Sequence, residues 1–145
     1  MIELHARLFG HRSIDFDKRK LRKAVRAGAR LVRREGRRLA GKKSGSGRRY
    51  RVWGDMLHRA SAPGAPPAKL TGALQRSVFF RTLEGTSGLA MSVGPSPRRV
   101  FYARFLAGGT EKMDARPFMG EALERHEGPI RNALRDALKS SLVPR

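Results

Sequence analysis

Hydrophobic and polar positions alternate at the start of the chain. Ile2, Leu4, Ala6 and Leu8 fall on one side, and Glu3, His5, Arg7 and Phe9 on the other. A period of two with one apolar side predicts an edge-type strand over 2–9, ended by Gly10. The period then lengthens. Leu21, Val25, Gly28, Val32, Glu35 and Leu39 recur at spacings of three and four, and Ala24, Ala29 and Leu31 widen the stripe. This predicts a helix ending near Ala40, roughly 39 Å long at 1.5 Å per residue. Ser13 is its expected N-cap and Gly41 its C-cap, with Asp15 and Asp17 in the first turn, where the helix dipole favours anions.

Residues 42–70 carry little regular signal. Lys42 to Arg49 is a basic Gly/Ser-rich loop, Tyr50-Arg-Val-Trp53 a short aromatic island, and Ser61 to Ala68 a Pro/Gly-rich run kept out of helix by Pro63, Pro66 and Pro67. Thr71 caps a helical turn over 72–76. Ser77–Leu83 and Leu89–Val93 read as two strands joined by a turn at 84–88. Val100–Leu106 is an apolar segment, strand or short helix. A final helix begins with Pro117 in its first turn and carries Phe118, Leu123, Ile130, Leu134 and Leu138 along one face, with Gly128-Pro129 expected to kink or interrupt it. Strands in succession with helices outside them indicate an α+β fold: a small antiparallel sheet against a long N-terminal and a C-terminal helix.

A chain of 145 residues suits one domain, placed at 1–139, with loop 42–70 expected to be flexible. Ser140 to Arg145 ends in Leu-Val-Pro-Arg and reads as a protease-tag remnant. There is no cysteine, which removes disulfides and thiolate metal sites. No apolar run approaches the roughly 18 residues of a membrane span. The first residues lack signal-peptide character, so a cytoplasmic product is expected.

Charge changes the picture most. The formal net charge is +20, and residues 15–51 hold 16 Lys/Arg against Asp15, Asp17 and Glu35. A charge this far from zero implies an anionic partner. Arg19, Arg22, Arg26, Arg30, Arg33 and Arg37 on the helix, with Lys42, Lys43, Arg48 and Arg49 beyond it, are the candidates for contact with DNA or an acidic protein. Tyr50 and Trp53 stand beside the last of these.

Catalytic signals are weak by comparison. Gly36-Arg-Arg-Leu-Ala-Gly41-Lys42 begins like a phosphate-binding loop, but Lys43 stands where Ser or Thr would hold magnesium, and the segment ends a helix instead of opening one. His5, His11, His58 and His126 form no metal-ligand spacing. Glu121, Glu124 and Glu127 share one helix and do not converge across a pocket. No catalytic residue, metal or cofactor is expected. Tyr102, Phe105, Phe118 and Met119 read as core or interface.

Three ordered segments resemble a phage family. Ser61-Ala-Pro-Gly-Ala-Pro-Pro-Ala-Lys-Leu-Thr-Gly-Ala-Leu-Gln-Arg-Ser77, Tyr102-Ala-Arg-Phe-Leu-Ala-Gly-Gly-Thr110 and Met113-Asp-Ala-Arg-Pro-Phe-Met119 are similar to segments of the lambdoid tail-component proteins related to the gene-ten product of phage HK-ninety-seven. Ala107 and Gly108 depart from the usual acid and the often aromatic residue before Gly-Thr, Ala65 from a common Glu, and Glu121 from a common Pro. The resemblance implies a non-enzymatic virion protein, made in the host bacterial cytoplasm. It would sit at the head–tail junction as a ring, commonly hexameric, between connector or head-closure proteins and the tail tube or tail terminator, close to packaged DNA. Pro63, Pro66, Pro67, Tyr102, Phe105, Gly109, Thr110, Arg116, Pro117 and Phe118 then become the candidate interface. The alternative is a small basic nucleic-acid-binding protein acting through residues 18–51.

Overall fold

The computed structural model describes residues 2–5, 17–43 and 45–142. In chain order these form β1 (Ile2–His5), α1 (Lys18–Leu39), β2 (Arg49–Trp53), β3 (Met56–Arg59), α2 (Ala73–Ser77), β4 (Val78–Thr82), β5 (Ala90–Pro95), α3 (Ala103–Gly108) and α4 (Met119–Ser141). The architecture is α+β. One antiparallel sheet runs in the order β1-β5-β4, and β2 and β3 make a second, two-stranded sheet.

The residues of α1 spaced by three and four, Leu21, Val25, Gly28, Val32, Glu35 and Leu39, are all buried; of those widening the stripe, Ala29 is buried and Ala24 and Leu31 are half-buried. Val25, Val32 and Leu39 join Val78, Met91, Val93, Val100, Phe118, Met119 and Ile130 in one core. β5 is the middle strand and is buried from Ala90 to Gly94, as a strand covered on both faces must be.

α1 begins later than its pattern indicates. Asp17 is the N-cap, its carboxylate accepting from the Arg19 N–H at 2.9 Å. It is thus the cap and not a first-turn residue. Ser13, Asp15 and positions 6–9 of the expected strand lie outside the described residues. At the other end Ala40, not Gly41, is the C-cap, its N–H bonding Gly36 O at 3.0 Å.

α4 runs antiparallel to α1. The Asp17 N–H donates to Ser141 O (2.9 Å) and Lys20 Nζ to Ser140 O (2.6 Å), which joins the start of α1 to the end of α4. Two of the six residues read as a tag remnant are therefore part of this helix, and Ser141 is buried. α4 continues through Pro129 without interruption. Pro117 precedes the helix, and Phe118 is its N-cap. Along the expected face Ile130 is buried while Leu123 and Leu134 pack at the edge of the core; Met119 and Ala122 supply the rest.

The segment 42–70, expected as a loop, contains the β2–β3 hairpin. Tyr50 faces His58 and Trp53 faces Met56 across the ladder, with an irregularity at Val52. The Gly54-Asp55 turn needs a positive φ, and Gly54 supplies it at +52°. Backbone bonds from Ala60 N to Arg48 O (3.0 Å) and Gly47 N to Ala60 O (2.8 Å) extend the hairpin root, and Lys69 N to Lys42 O (2.7 Å) ties the ends of the segment together. Val100–Leu106 resolves as a turn leading into the short helix α3.

The α1–α4 seam depends on two glycines. A Cβ at Gly28 would lie 3.1 Å from Ile130 Cγ2, and one at Gly36 would lie 2.6 Å from Met119 Sδ. Gly36→Val is expected to destabilise the fold by about 1–3 kcal/mol through overpacking. Gly120→Ala, on the same helix as Met119 but with nothing within 4 Å of the new methyl, is expected to raise stability by about 0.5–1 kcal/mol. Denaturant midpoints of the two variants check this pair: movement in the same direction would contradict it.

Candidate interaction surfaces

The candidate residues fall on three separate surfaces. The first is the basic face of α1. Arg19, Arg22, Arg26 and Arg30 are exposed, and Arg33 and Arg37 are half-buried. The half-buried pair is anchored to the sheet. Arg33 stacks over Phe80 at 5.1 Å from the ring centre, and Arg37 Nε donates to Val78 O at 3.1 Å. Arg22 Nε donates to Ser87 O at 2.5 Å. Arg30, Leu31, Arg33, Arg34 and Arg37 line one shallow groove of about 300 Å3. Lys42, Lys43, Arg48 and Arg49 are exposed but belong to the segment after α1, so they extend the charge and do not share its helical face.

The second surface is the hairpin with the groove at its foot. Tyr50, Trp53, Met56 and Leu57 are exposed, Trp53 by 59% and Leu57 by 64%. No residue of β2 or β3 is fully buried. A groove of about 300 Å3 separates this hairpin from the body, with Tyr50, Trp53 and His58 on one side and Leu74, Tyr102 and Leu106 on the other. Pro67 is buried at its floor, Pro66 is half-buried and Pro63 is exposed. Tyr50 and His58 meet edge to face at 5.5 Å. Arg116 also lines the groove; its buried Nε has no hydrogen-bond partner among the described residues. Burial holds the Tyr102 hydroxyl above its ordinary pKa.

The third surface is an apolar pocket of about 530 Å3 beside α3, lined by Pro95, Val100, Phe101, Ala107, Pro117 and Met119 among others. Phe101 is 71% exposed at its rim. Gly109 ends α3 with φ +75°, where a Cβ would meet Met113 O and Ala115 N at 2.9 Å. The chain then pairs Thr110 with Met113, and the Arg116 N–H returns to Leu106 O at 2.7 Å. Gly64 N bonds Ala115 O at 3.1 Å, so the Pro/Gly-rich run packs against this corner. Phe105 is exposed, with Arg104 over its ring at 4.7 Å. Phe118 is 1% exposed and belongs to the core, which removes it from any surface.

One group was not singled out by sequence reasoning. Glu35 is the only acid on α1, and it lies on the buried stripe. It accepts from Arg38 at 2.9 and 2.6 Å and from Arg125 of α4 at 3.2 Å, while His126 Nε2 lies 3.9 Å away. Arg125 also bonds Glu121. The signal was present: an isolated acid on an apolar stripe of an arginine-rich helix needs a buried partner.

Hydrogen bonding from Arg38 outweighs burial and, with the charges of Arg38 and Arg125, holds the Glu35 carboxyl down at about 2. Among the described residues no helix is long and apolar enough to cross a membrane, and no three His, Asp or Glu side chains gather as a metal site. No family model, curated protein or solved structure matches the chain.

A carboxyl whose pKa is depressed by folding contributes stability above its unfolded pKa of 4.5 and loses that contribution as pH falls towards 2. Glu35→Gln is expected to cost roughly 1–3 kcal/mol at pH 7, the range for bonds to charged groups. It should also flatten the dependence of stability on pH between about 4.5 and 2. Urea melts across that window check both; an unchanged slope would show that Glu35 does not carry it.

Proposed function

We propose that this chain is a non-enzymatic structural protein of a tailed phage or prophage, acting in tail completion at the head–tail junction. It assembles as a ring between connector and tail tube. The observation that carries this reading is the hairpin. A two-stranded ribbon with Trp53, Met56 and Leu57 around its turn buries no face of its own, and isolated hairpins of this kind are marginal in water. Exposed apolar and aromatic clusters of this sort mark protein interaction sites. The hairpin occupies the segment between the long helix and the Ser61–Ser77 run, one of the three segments that resemble the tail-component family.

A ring requires a heterologous contact, in which one patch meets a different patch on the neighbour. The hairpin and the apolar pocket beside α3 are two such distinct patches on one subunit. The turn that Gly109 makes and the bond from Gly64 to Ala115 hold the Pro-rich run, α3 and the start of α4 in one fixed corner. The segments that resemble the tail-component family would then position the surfaces instead of performing chemistry.

Light scattering at physiological salt is expected to show ring oligomers of the wild-type chain, or a monomer retained by phage connectors or tail tubes. Trp53→Ser with Leu57→Ser should abolish either association by at least tenfold while leaving the melting temperature within about 2 °C, because both side chains are solvated in the subunit. A wild-type monomer with no affinity for connector or tail would sink the proposal.

A further inference from the structure

We propose that the outer face of α1 is a preformed binding site for the phosphodiester backbone of duplex nucleic acid, independent of sequence and independent of assembly. Arg19, Lys23, Arg26, Arg30, Arg34 and Arg37 succeed one another at spacings of three and four, so they occupy one side of the helix, opposite the buried stripe. No acid interrupts them: the only carboxylate of α1 is turned inward and already engaged. Like charges at these spacings repel by a few tenths of a kcal/mol per pair. An ordinary solvated helix relieves this with interspersed acids, and here only an external polyanion does so.

Two features make the face a site and not a loose cloud of charge. Arg22 and Arg37 donate their Nε to carbonyls of Ser87 and Val78, and Arg33 stands over the Phe80 ring, 5.1 Å from its centre. Arg37, a member of the row, is thereby oriented before any ligand arrives, with Arg22 and Arg33 held beside it, which lowers the ordering cost of phosphate contact at that end of the face. The array is also straight. From Arg19 to Arg37 the helix rises about 27 Å, close to eight base-pair steps of about 3.4 Å.

The occupant follows from what the face lacks. Protein interfaces have an apolar or aromatic centre, whereas this groove offers only Leu31 among arginines. Single strands need aromatic platforms, and the one ring here, Phe80, is covered by Arg33. The exposed aromatics of the hairpin line a different groove. A row of cationic side chains on one face of a rigid helix, without stacking or apolar anchors, fits a duplex backbone.

The test uses the full chain and a labelled 20-base-pair duplex in an anisotropy titration over a range of salt. Binding should weaken with a logarithmic salt slope of magnitude about 3–5, from four or five phosphate contacts at about 0.9 each. A duplex of scrambled sequence should bind within about twofold. Arg30→Gln with Arg34→Gln, both exposed positions without hydrogen-bond partners among the described residues, should reduce low-salt affinity by at least tenfold and the slope by about 2, with an unchanged thermal melt. Lys42→Gln with Lys43→Gln should change affinity by less than threefold. The hairpin variant W53S/L57S should bind duplex as the wild type does, which separates this inference from the assembly reading. Equal losses in both pairs of charge variants, or competition by poly-glutamate as strong as by duplex at equal charge, would overturn it.

Discussion

The close approach of α1 and α4 is the constraint on which the rest depends. Gly28 admits Ile130 and Gly36 admits Met119, so the two helix surfaces meet with no Cβ between them. Glu35 lies in the same seam and accepts from Arg125 across it, while Asp17 and Lys20 bond the last carbonyls of α4. With both ends and the middle of the pair held, the inner face of α1 is committed to the β1-β5-β4 sheet and to α4. Its outer face is therefore left to solvent, with Arg19, Arg22, Arg26, Arg30 and Arg34 exposed on it. A change that opened the seam would disturb the core and release the basic face from its fixed orientation at once.

The same constraint explains how one small chain separates its surfaces. The apolar stripe of α1 takes up Val78, Met91 and Val93 from the sheet and Phe118 and Met119 from the start of α4. Among the described residues, most of the large apolar side chains that remain exposed lie on the hairpin and at the rim of α3. The longest uninterrupted row of exposed basic side chains runs along α1. The hairpin carries arginines of its own, Arg49, Arg51 and Arg59, but its exposed aromatic side chains line a groove separate from the α1 row. An assembly surface and a polyanion surface can thus coexist without overlap.

Much of this was legible in the linear pattern. The α1 stripe at spacings of three and four, with Ala29 beside it, named the residues buried along that helix, Glu35 among them, apart from Gly36. Period-two alternation and turn residues located β4 and β5. The hairpin was harder. Its strands are four and five residues long and carry arginine at Arg49, Arg51 and Arg59, so alternation was masked by charge, and only Gly54-Asp55 marked the turn. The end of α4 was also hidden, because a familiar Leu-Val-Pro-Arg ending drew attention from Ser140 and Ser141, which the helix includes.

Local sequence by itself determined the α+β class, the inward face of α1 and the excess of positive charge. These follow from periodicity and composition, which neighbours in the chain alone decide. Tertiary structure decided the rest. It turned Glu35 from a member of an apolar stripe into the ion pair that joins two helices. It placed Phe118 in the core and left Trp53 outside. It also anchored Arg33 and Arg37 on β4 and Arg22 on the turn after it, while leaving Arg30 and Arg34 without such anchors among the described residues. Each of these depends on which groups far apart in sequence come within a few ångströms, and only the packing of helix on helix and helix on sheet sets that distance.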